Sequence, residues 1–523
     1  MGNENTRRRW SLRNKGKNSN NSDKVKKDTN ETGEDFDLEE WNIVNDKNKN
    51  FDNSINFGND LLISQVKKDP YTDYKIIKTL GEGSYGKVHL VSHNITGAIR
   101  AMKVIKKLNT SIENNDEEVL NEINVLKKMD HPNVIKIFEF YIDDKNYYLI
   151  TEYCSGGELF ELINDIKFNE MQTAYIMLQL FMALNYCHKV NIIHRDLKPE
   201  NILIVKNENY FIRIKICDFG TSQIFKKGEK LDETVGSLFY IAPEVIKRKY
   251  NFKCDLWSCG VIMYILLTNK LPFFGDNDEE IISSILYKEY DTERLINFSE
   301  NTRDLLSKLL ERDVSKRINA EDALNHKFFE EFKVKSLLNE IKDKNKIEKF
   351  VENLRNYKRK SILQETTIAY LIHNFPDLEE VNDAYKLFNQ IDVKGNGKIS
   401  MDDLYIGLSL IIQSDKLRDD MVEIFANLDV NKNNYLGFED FVKGVIDKNC
   451  LLDDKILKFA FKYFDKDNKG VIIIKEISYI FKDHLRTHDI TEKLQKIISE
   501  VDDNGDGKIT YDKFCKIMKN III

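Results

Sequence analysis

The chain has 523 residues, enough for three or four domains of ordinary size. Hydrophobic residues make up 41% and charged residues 32%, the balance of a soluble globular protein, and a formal charge of -7 argues against a general nucleic-acid binder. The 7 cysteines are scattered from Cys154 onward, an odd and unpatterned set that predicts reduced thiols in an intracellular protein rather than a disulfide framework. No apolar run approaches the ~20 residues of a membrane helix. The longest, Val261–Leu267, reads as a buried helix segment, and no apolar core follows Met1 to mark a secreted protein.

Residues 1–73 are rich in Asn, Lys, Asp and Ser, with few apolar residues before Trp41, and are expected to be disordered. The opening "MGNENT" fits the myristoylation pattern M-G-x-x-x-[ST] through Gly2 and Thr6. One acyl chain holds a membrane only marginally, and no cysteine lies nearby to carry a second. Arg7, Arg8, Arg9, Arg13, Lys15 and Lys17 would supply the second signal by attraction to anionic lipids, giving a cytoplasmic protein held peripherally on a membrane. The bland alternative is a solvated basic tail.

From Tyr74 the pattern changes, and "YKIIKTL", "KVHLVSH" and "AIRAMKVI" read as strands. Within them Leu80, Gly81, Glu82, Gly83, Ser84, Tyr85, Gly86, Lys87 and Val88 form a candidate phosphate-binding loop. A Walker loop needs Ser or Thr after Lys87, where Val88 stands, and a dinucleotide fingerprint should run into a helix rather than the strand-like "VHLVSH". The pattern G-x-G-x-x-G-x-V of a kinase lid remains. It predicts a lysine on a later strand that binds ATP phosphates and pairs with a helix glutamate. Lys103 is that lysine and Glu122 its best partner, with Glu117 and Glu118 a turn earlier as rivals in a helix expected after Glu117.

"HRDLKPEN" follows at His194–Asn201. Asp196 is the candidate catalytic base, Lys198 the candidate neutraliser of the transferred phosphoryl group, and Asn201 a candidate magnesium ligand. Asp218 of "DFG" is the second magnesium candidate, and Glu244 of "APE" has Arg317 as a plausible late partner. Phosphoryl transfer is mostly positioning and charge neutralisation, so these are the parts it requires.

In this order over about 250 residues the set resembles the eukaryotic protein kinase family, from Tyr74 to about Phe329. The resemblance implies an α+β two-lobed fold over 74–329 that uses ATP and magnesium. Lys198 within "DLKPEN" looks like the serine/threonine branch. Glu158 and Glu200 match acidic positions that in basophilic kinases receive an arginine upstream of the phosphosite; otherwise they are solvated surface acids. In the loop Thr221–Ser237, Asp232 and Glu233 would satisfy Arg195 without phosphorylation, with Thr234 as the candidate phosphosite.

A stretch without Gly or Pro runs from Phe332 to Phe375, with Ile347, Phe350, Val351, Leu354 and Tyr357 at helical spacing. Beyond it Asp392, Asp429, Asp465 and Asp502 recur every 36 or 37 residues, each opening a twelve-residue loop: 392–403, 429–440, 465–476 and 502–513. Calcium needs six to eight oxygens, which such a loop supplies from positions 1, 3, 5, 7, 9 and 12. The candidates are Asp429, Asn431, Asn433, Tyr435 and Asp440 in loop two; Asp465, Asp467, Val471 and Glu476 in loop three; and Asp502, Asn504, Asp506 and Lys508 in loop four. Loop one offers Asp392, Asn396, Lys398 and Asp403 and is the weakest, with Lys394 at position 3. Loop three has Lys469 at position 5, and loop four ends in Lys513 instead of a carboxylate. Loops two and four rank first.

Kinase, basic helical junction (330–375) and calmodulin-like all-α domain of four EF-hands (376–523) together resemble the calcium-dependent protein kinases of plants and protists. The resemblance implies a monomeric serine/threonine kinase acting on protein substrates in basic context, inhibited by its junction helix, Lys344 to about Leu371, until calcium makes the EF-hand domain grip it. Lys358 three residues before Ser361 makes "YKRKSI" look substrate-like. Deleting the chain after Phe332 should then give calcium-independent activity. Two alternatives stay open: a calcium sensor or scaffold with a non-catalytic kinase fold, and a kinase only weakly responsive to calcium.

Overall fold

Alternating apolar and polar residues build the first layer of the protein. Strands β1 (Ser64–Val66), β2 (Tyr74–Gly83), β3 (Gly86–His93), β4 (Ile99–Lys106), β5 (Ile137–Ile142) and β6 (Asn146–Glu152) form one sheet in the order β1-β5-β6-β4-β3-β2. β1 joins β5 in parallel, and every other pair is antiparallel. Side chains two apart share a face. One face buries Tyr74, Val91, Met102, Tyr141, Tyr148 and Ile150. The other puts Ile105, Ile137, Phe140 and Leu149 in a core with Val119, Ile123 and Leu126 of helix α1 (Asn115–Lys127). The computed structural model describes residues 62–66, 68–83, 86–107, 115–208, 211–226, 231–332, 344–358, 361–375, 378–392, 394–409, 417–429, 433–465, 467–473, 476–477, 480 and 506–520. Gly2, Ser84, Tyr85, Asn431, Asp502 and Asn504 lie outside the described residues.

The second lobe is helical. Helix α2 (Glu170–Lys189) opens with a capping box between Asn169 and Gln172 and is buried continuously from Thr173 to Cys187. Helix α3 (Cys254–Thr268), buried from Cys254 to Leu267, contains the apolar run singled out in the sequence. It stops at Asn269, whose φ of 56° is a left-handed cap that asparagine tolerates. Strands β7 (Ile202–Glu208) and β8 (Phe211–Ile216) form a two-stranded ribbon behind the catalytic loop.

The junction is two helices rather than one: α4 (Lys344–Arg355) and α5 (Ile362–Asn374). Local chemistry sets the break. Ser361 caps α5 in a capping box with Gln364, and the Tyr357 hydroxyl donates to the buried Glu365 carboxylate. Ile347, Phe350, Val351, Leu354 and Tyr357 are all buried, as their spacing predicts. Their partners lie on α6 (Glu379–Ile391), α7 (Met401–Ser409), α8 (Leu417–Leu428), α9 (Phe438–Val445), α10 (Asp454–Phe464) and α11 (Tyr511–Lys519), in one shared core. Packing is tight at Gly444 of α9, where a β-carbon would stand 2.8 Å from Leu354 and 2.9 Å from Leu428. All seven cysteines are free thiols.

Candidate active site and calcium loops

The register of β3 on β4 places Val88 opposite Lys103 under the glycine-rich hairpin. The hairpin closes with Gly83 paired to Gly86. Gly86 has a φ of 144°, and a β-carbon there would run into the Val104 carbonyl. Lys87 pairs with the exposed Glu82, at 3.3 Å. The Lys103 ammonium lies 2.8 Å from Glu122 and 3.4 Å from Asp218. Burial alone would lower its pKa, but the Glu122 and Asp218 carboxylates prevail and hold it well above the usual lysine value. Of the three candidate acids on α1, Glu122 is the partner.

Asp196 is the hub of the catalytic loop. Its carboxylate accepts from Lys198 Nζ at 2.9 Å and from Ser237 Oγ at 2.8 Å, and Lys198 also donates to Ser237 Oγ at 2.9 Å. Asn201 donates to the Asp196 carbonyl at 2.7 Å. Sequence reading missed the residue that holds this loop up. The buried Asp255 carboxylate of α3 accepts the backbone N–H groups of His194 and Arg195, both at 3.0 Å, and His188 Nε2 at 2.9 Å. Burial works against its charge, yet these donors hold its pKa below the usual carboxylate value. Arg195 and Asp218 both sit at positive φ, 69° and 63°, the left-handed strain that functional sites store. Gly236 is required at φ 111°, because a β-carbon would lie 2.6 Å from the Arg195 carbonyl.

Arg195 gathers the activation loop. Its guanidinium donates to Glu233 at 2.9 Å, to Gln223 at 2.7 Å and to the Thr221 carbonyl at 2.6 Å. Thr234 is buried, its hydroxyl without a partner among the described residues. Glu244 pairs with Arg317, both buried, with a second contact of 2.9 Å between Arg317 Nη2 and Glu244 Oε2. Glu200 presents a buried carboxylate oxygen, Oε2, that has no hydrogen-bond partner among the described residues. Burial raises the Glu200 pKa, and the negative charges of Glu158 and Asp196 add to the rise.

The EF-hand loops repeat one backbone plan. The opening aspartates accept two amides each: Asp392 from Asn396 and Gly397, Asp429 from Asn433 and Asn434, Asp465 from Lys469 and Gly470. Position 6 is left-handed in every loop: Gly397, Asn434, Gly470 and Gly507 have φ of 70°, 64°, 75° and 70°. Loops one and two pair by reciprocal bonds between Ile399 and Leu436, and loops three and four by the short strands β9 (Val471–Ile473) and β10 (Lys508–Thr510). Among the described residues no three His, Cys, Asp or Glu side chains stand together as a metal cage. Several ligand carboxylates face lysines instead: Asp403 faces Lys394, Asp440 faces Lys443 and Asp467 faces Lys469. Ser361 Oγ is engaged as the cap of α5.

The regulatory half docks on both kinase lobes. In the sheet lobe Lys136 pairs with Glu439 at 2.7 Å, His373 Nδ1 lies 2.9 Å from the Glu439 carboxylate, and Arg100 donates to the Asn374 carbonyl. The His93 ring meets Phe459 edge-on at 5.0 Å. In the helical lobe Arg213 donates to Asn382 at 2.9 Å, and Asn185 donates to the Lys394 and Gly395 carbonyls at 3.2 and 3.1 Å.

Fold and site together define a protein kinase that carries its own EF-hand module. The protein kinase domain family matches residues 74–329, and the EF-hand domain pair family matches 381–446 and 454–519. Calcium-dependent protein kinase 4 of Plasmodium falciparum (isolate 3D7) is 35% identical over 455 residues, 84% of this chain and 85% of its own. Calcium-dependent protein kinase 5 of the same organism is 36% identical over 447 residues, 84% and 77% of the two chains. Calcium-dependent protein kinase 14 of Arabidopsis thaliana is 34% identical over 455 residues, 85% and 83%. The chain therefore belongs to the calcium-dependent protein kinase family. It is a calcium-regulated serine/threonine kinase that uses ATP, Mg2+ and Ca2+.

Proposed function

We propose that this kinase phosphorylates Ser or Thr preceded by arginine, with Glu158 and Glu200 receiving the guanidinium. The observation that carries this is the partnerless buried Oε2 of Glu200, a carboxylate whose cost of burial a fork of N–H donors would offset. Asp196 takes the proton of the attacking hydroxyl, and Lys198 neutralises charge on the phosphoryl group in flight. Lys103, positioned by Glu122, and the hairpin Leu80–Val88 hold the ATP phosphates, and Asn201 and Asp218 hold magnesium. The junction 330–375 couples calcium to this site. It restrains the kinase at low calcium, and the α4 and α5 arrangement inside the EF-hand core is the gripped, released form. Asp429, Asn431, Asn433, the Tyr435 carbonyl and Asp440 are calcium ligands of loop two; Asp465, Asp467, the Val471 carbonyl and Glu476 are those of loop three. The acylated Gly2 and the basic residues after it hold the protein to a membrane surface as a monomer.

A pair of peptides, one with arginine three residues before the serine and one with glutamine there, tests the substrate reading. The arginine peptide should have the lower KM by at least about tenfold, the worth of one charge-assisted contact. Glu200→Gln should remove that difference, and equal KM values for both peptides in the unmodified enzyme would refute it.

A further inference from the structure

Three EF-hand loops carry a lysine at a ligand position, but only two of those lysines reach across the loop. In loop one Lys394, at position 3, lies 3.1 Å from Oδ1 and 3.3 Å from Oδ2 of Asp403, at position 12. In loop four Lys513, at position 12, donates to the position-7 carbonyl of Lys508 at 3.2 Å and lies 3.6 Å from the position-5 carboxylate of Asp506. Each ammonium group thus reaches from its own position to oxygens on the far side of the loop and ties the two sides together, as a calcium ion would. Loops two and three differ. Lys443 lies outside loop two, and Lys469 of loop three pairs with Asp467, two residues before it on the same side of the loop. In loop three the closing carboxylate, Glu476, still reaches inward to the amides of Asp467 and Ile473 at 3.1 and 3.0 Å.

The donor sets of loops one and four do not fit calcium: an ammonium has no lone pair to offer and repels the ion. We infer that these loops carry their cation covalently, as the side chains of Lys394 and Lys513, and that calcium binds only loops two and three. This rests on the reading of the domain as a calcium switch. Each EF-hand pair then holds one lysine-latched loop and one calcium loop, joined by Ile399 with Leu436 and by Ile472 with Ile509. The latch is always present because the lysine is tethered, so half of each pair is ordered before calcium arrives, and the partner loop loses less freedom on binding. Loop one uses its fixed shape on the kinase. Asn185 holds its Lys394 and Gly395 carbonyls, and a β-carbon on Gly397 would stand 2.6 Å from the Tyr186 ring.

Calorimetric titration of CaCl2 into the full-length protein, in buffer containing magnesium, reads the number of ions bound. Two per chain are expected. Lys394→Asp and Lys513→Glu should each raise the count to three, and the double variant to four. Lys394→Met, which removes the latch without adding a ligand, should keep two ions but melt at a lower temperature in chelator. Three or four ions on the unmodified protein would overturn the inference, as would a count of two in both carboxylate variants with native circular dichroism. No binding at all by the unmodified protein would instead overturn the calcium reading of the whole domain.

Discussion

The Glu233 carboxylate lies 2.9 Å from the Arg195 guanidinium, so the activation loop is tied to the catalytic loop by a side chain the protein is born with. Phosphorylation commonly supplies this negative charge. Thr234, the neighbouring candidate phosphosite, is buried instead. Protein purified without any phosphate on this loop should be fully active, and Thr234→Ala should keep that activity. Because Glu233 is well exposed, Glu233→Ala should lower kcat/KM by only about two- to fivefold, the range of a solvent-screened ion pair. Mass spectrometry paired with peptide kinetics checks both. Loss of activity in Thr234→Ala would show that a phosphosite is required.

Asp196→Asn keeps the shape of the hub, with Lys198 and Ser237 still in reach, but removes the proton acceptor. Peptide kcat should fall by about 10²–10⁴-fold, the usual worth of general base catalysis, while KM for ATP stays within a few-fold. A variant with near-normal kcat would place the base elsewhere and revive the non-catalytic scaffold reading.

His93 gives the docked state a pH dependence. Burial, the first cause, lowers its pKa from 6.5 to about 4, and Arg100, Lys462 and Lys68 add to the fall against the opposing charge of Asp73. A lowered folded-state pKa means that the native protein binds fewer protons than the unfolded chain. The stability contributed by neutral His93 is therefore full above pH 6.5 and is lost as pH falls towards 4. Thermal melting of the full chain over that range should show a steeper decline than melting of His93→Gln. Identical slopes would mean that His93 is solvated rather than packed on Phe459.

Leu354 of α4 is fully buried in the regulatory core, against Gly444. Leu354→Ala should cost about 2–5 kcal/mol in the unfolding of that half, the range for a leucine cavity in a packed interior. Chemical denaturation followed by tyrosine or circular dichroism signals would measure it. A change below about 1 kcal/mol would mean that the junction is only loosely held.

Most of the candidate site was legible because phosphoryl transfer fixes residue types in a fixed order: Lys103, Asp196, Asn201 and Asp218 could be named as candidates, and the structure pairs Lys103 with Glu122, the best of the three acids. Asp255 was not, since a lone aspartate in an apolar helix carries no local pattern and acts only through a fold that brings it under His194. The strands β2, β3 and β4 followed from alternation. Periodicity exposed the EF-hands. It missed the break in the junction, where Tyr357, Ser361, Gln364 and Glu365 form a local stop and start that an apolar stripe does not reveal. The replacement of the final carboxylate of loop four by Lys513 was legible too, whereas the reach of Lys513 to Lys508 and Asp506 is visible only in three dimensions.

The most direct test of the account is phosphorylation of a basic serine peptide by purified full-length protein, with ATP and magnesium fixed and free calcium varied from chelator to saturation. Activity should be near baseline in chelator and rise steeply with calcium, and Asp196→Asn should stay flat throughout. A rate that is already maximal in chelator, or that does not respond to calcium in an enzyme otherwise active, would contradict it.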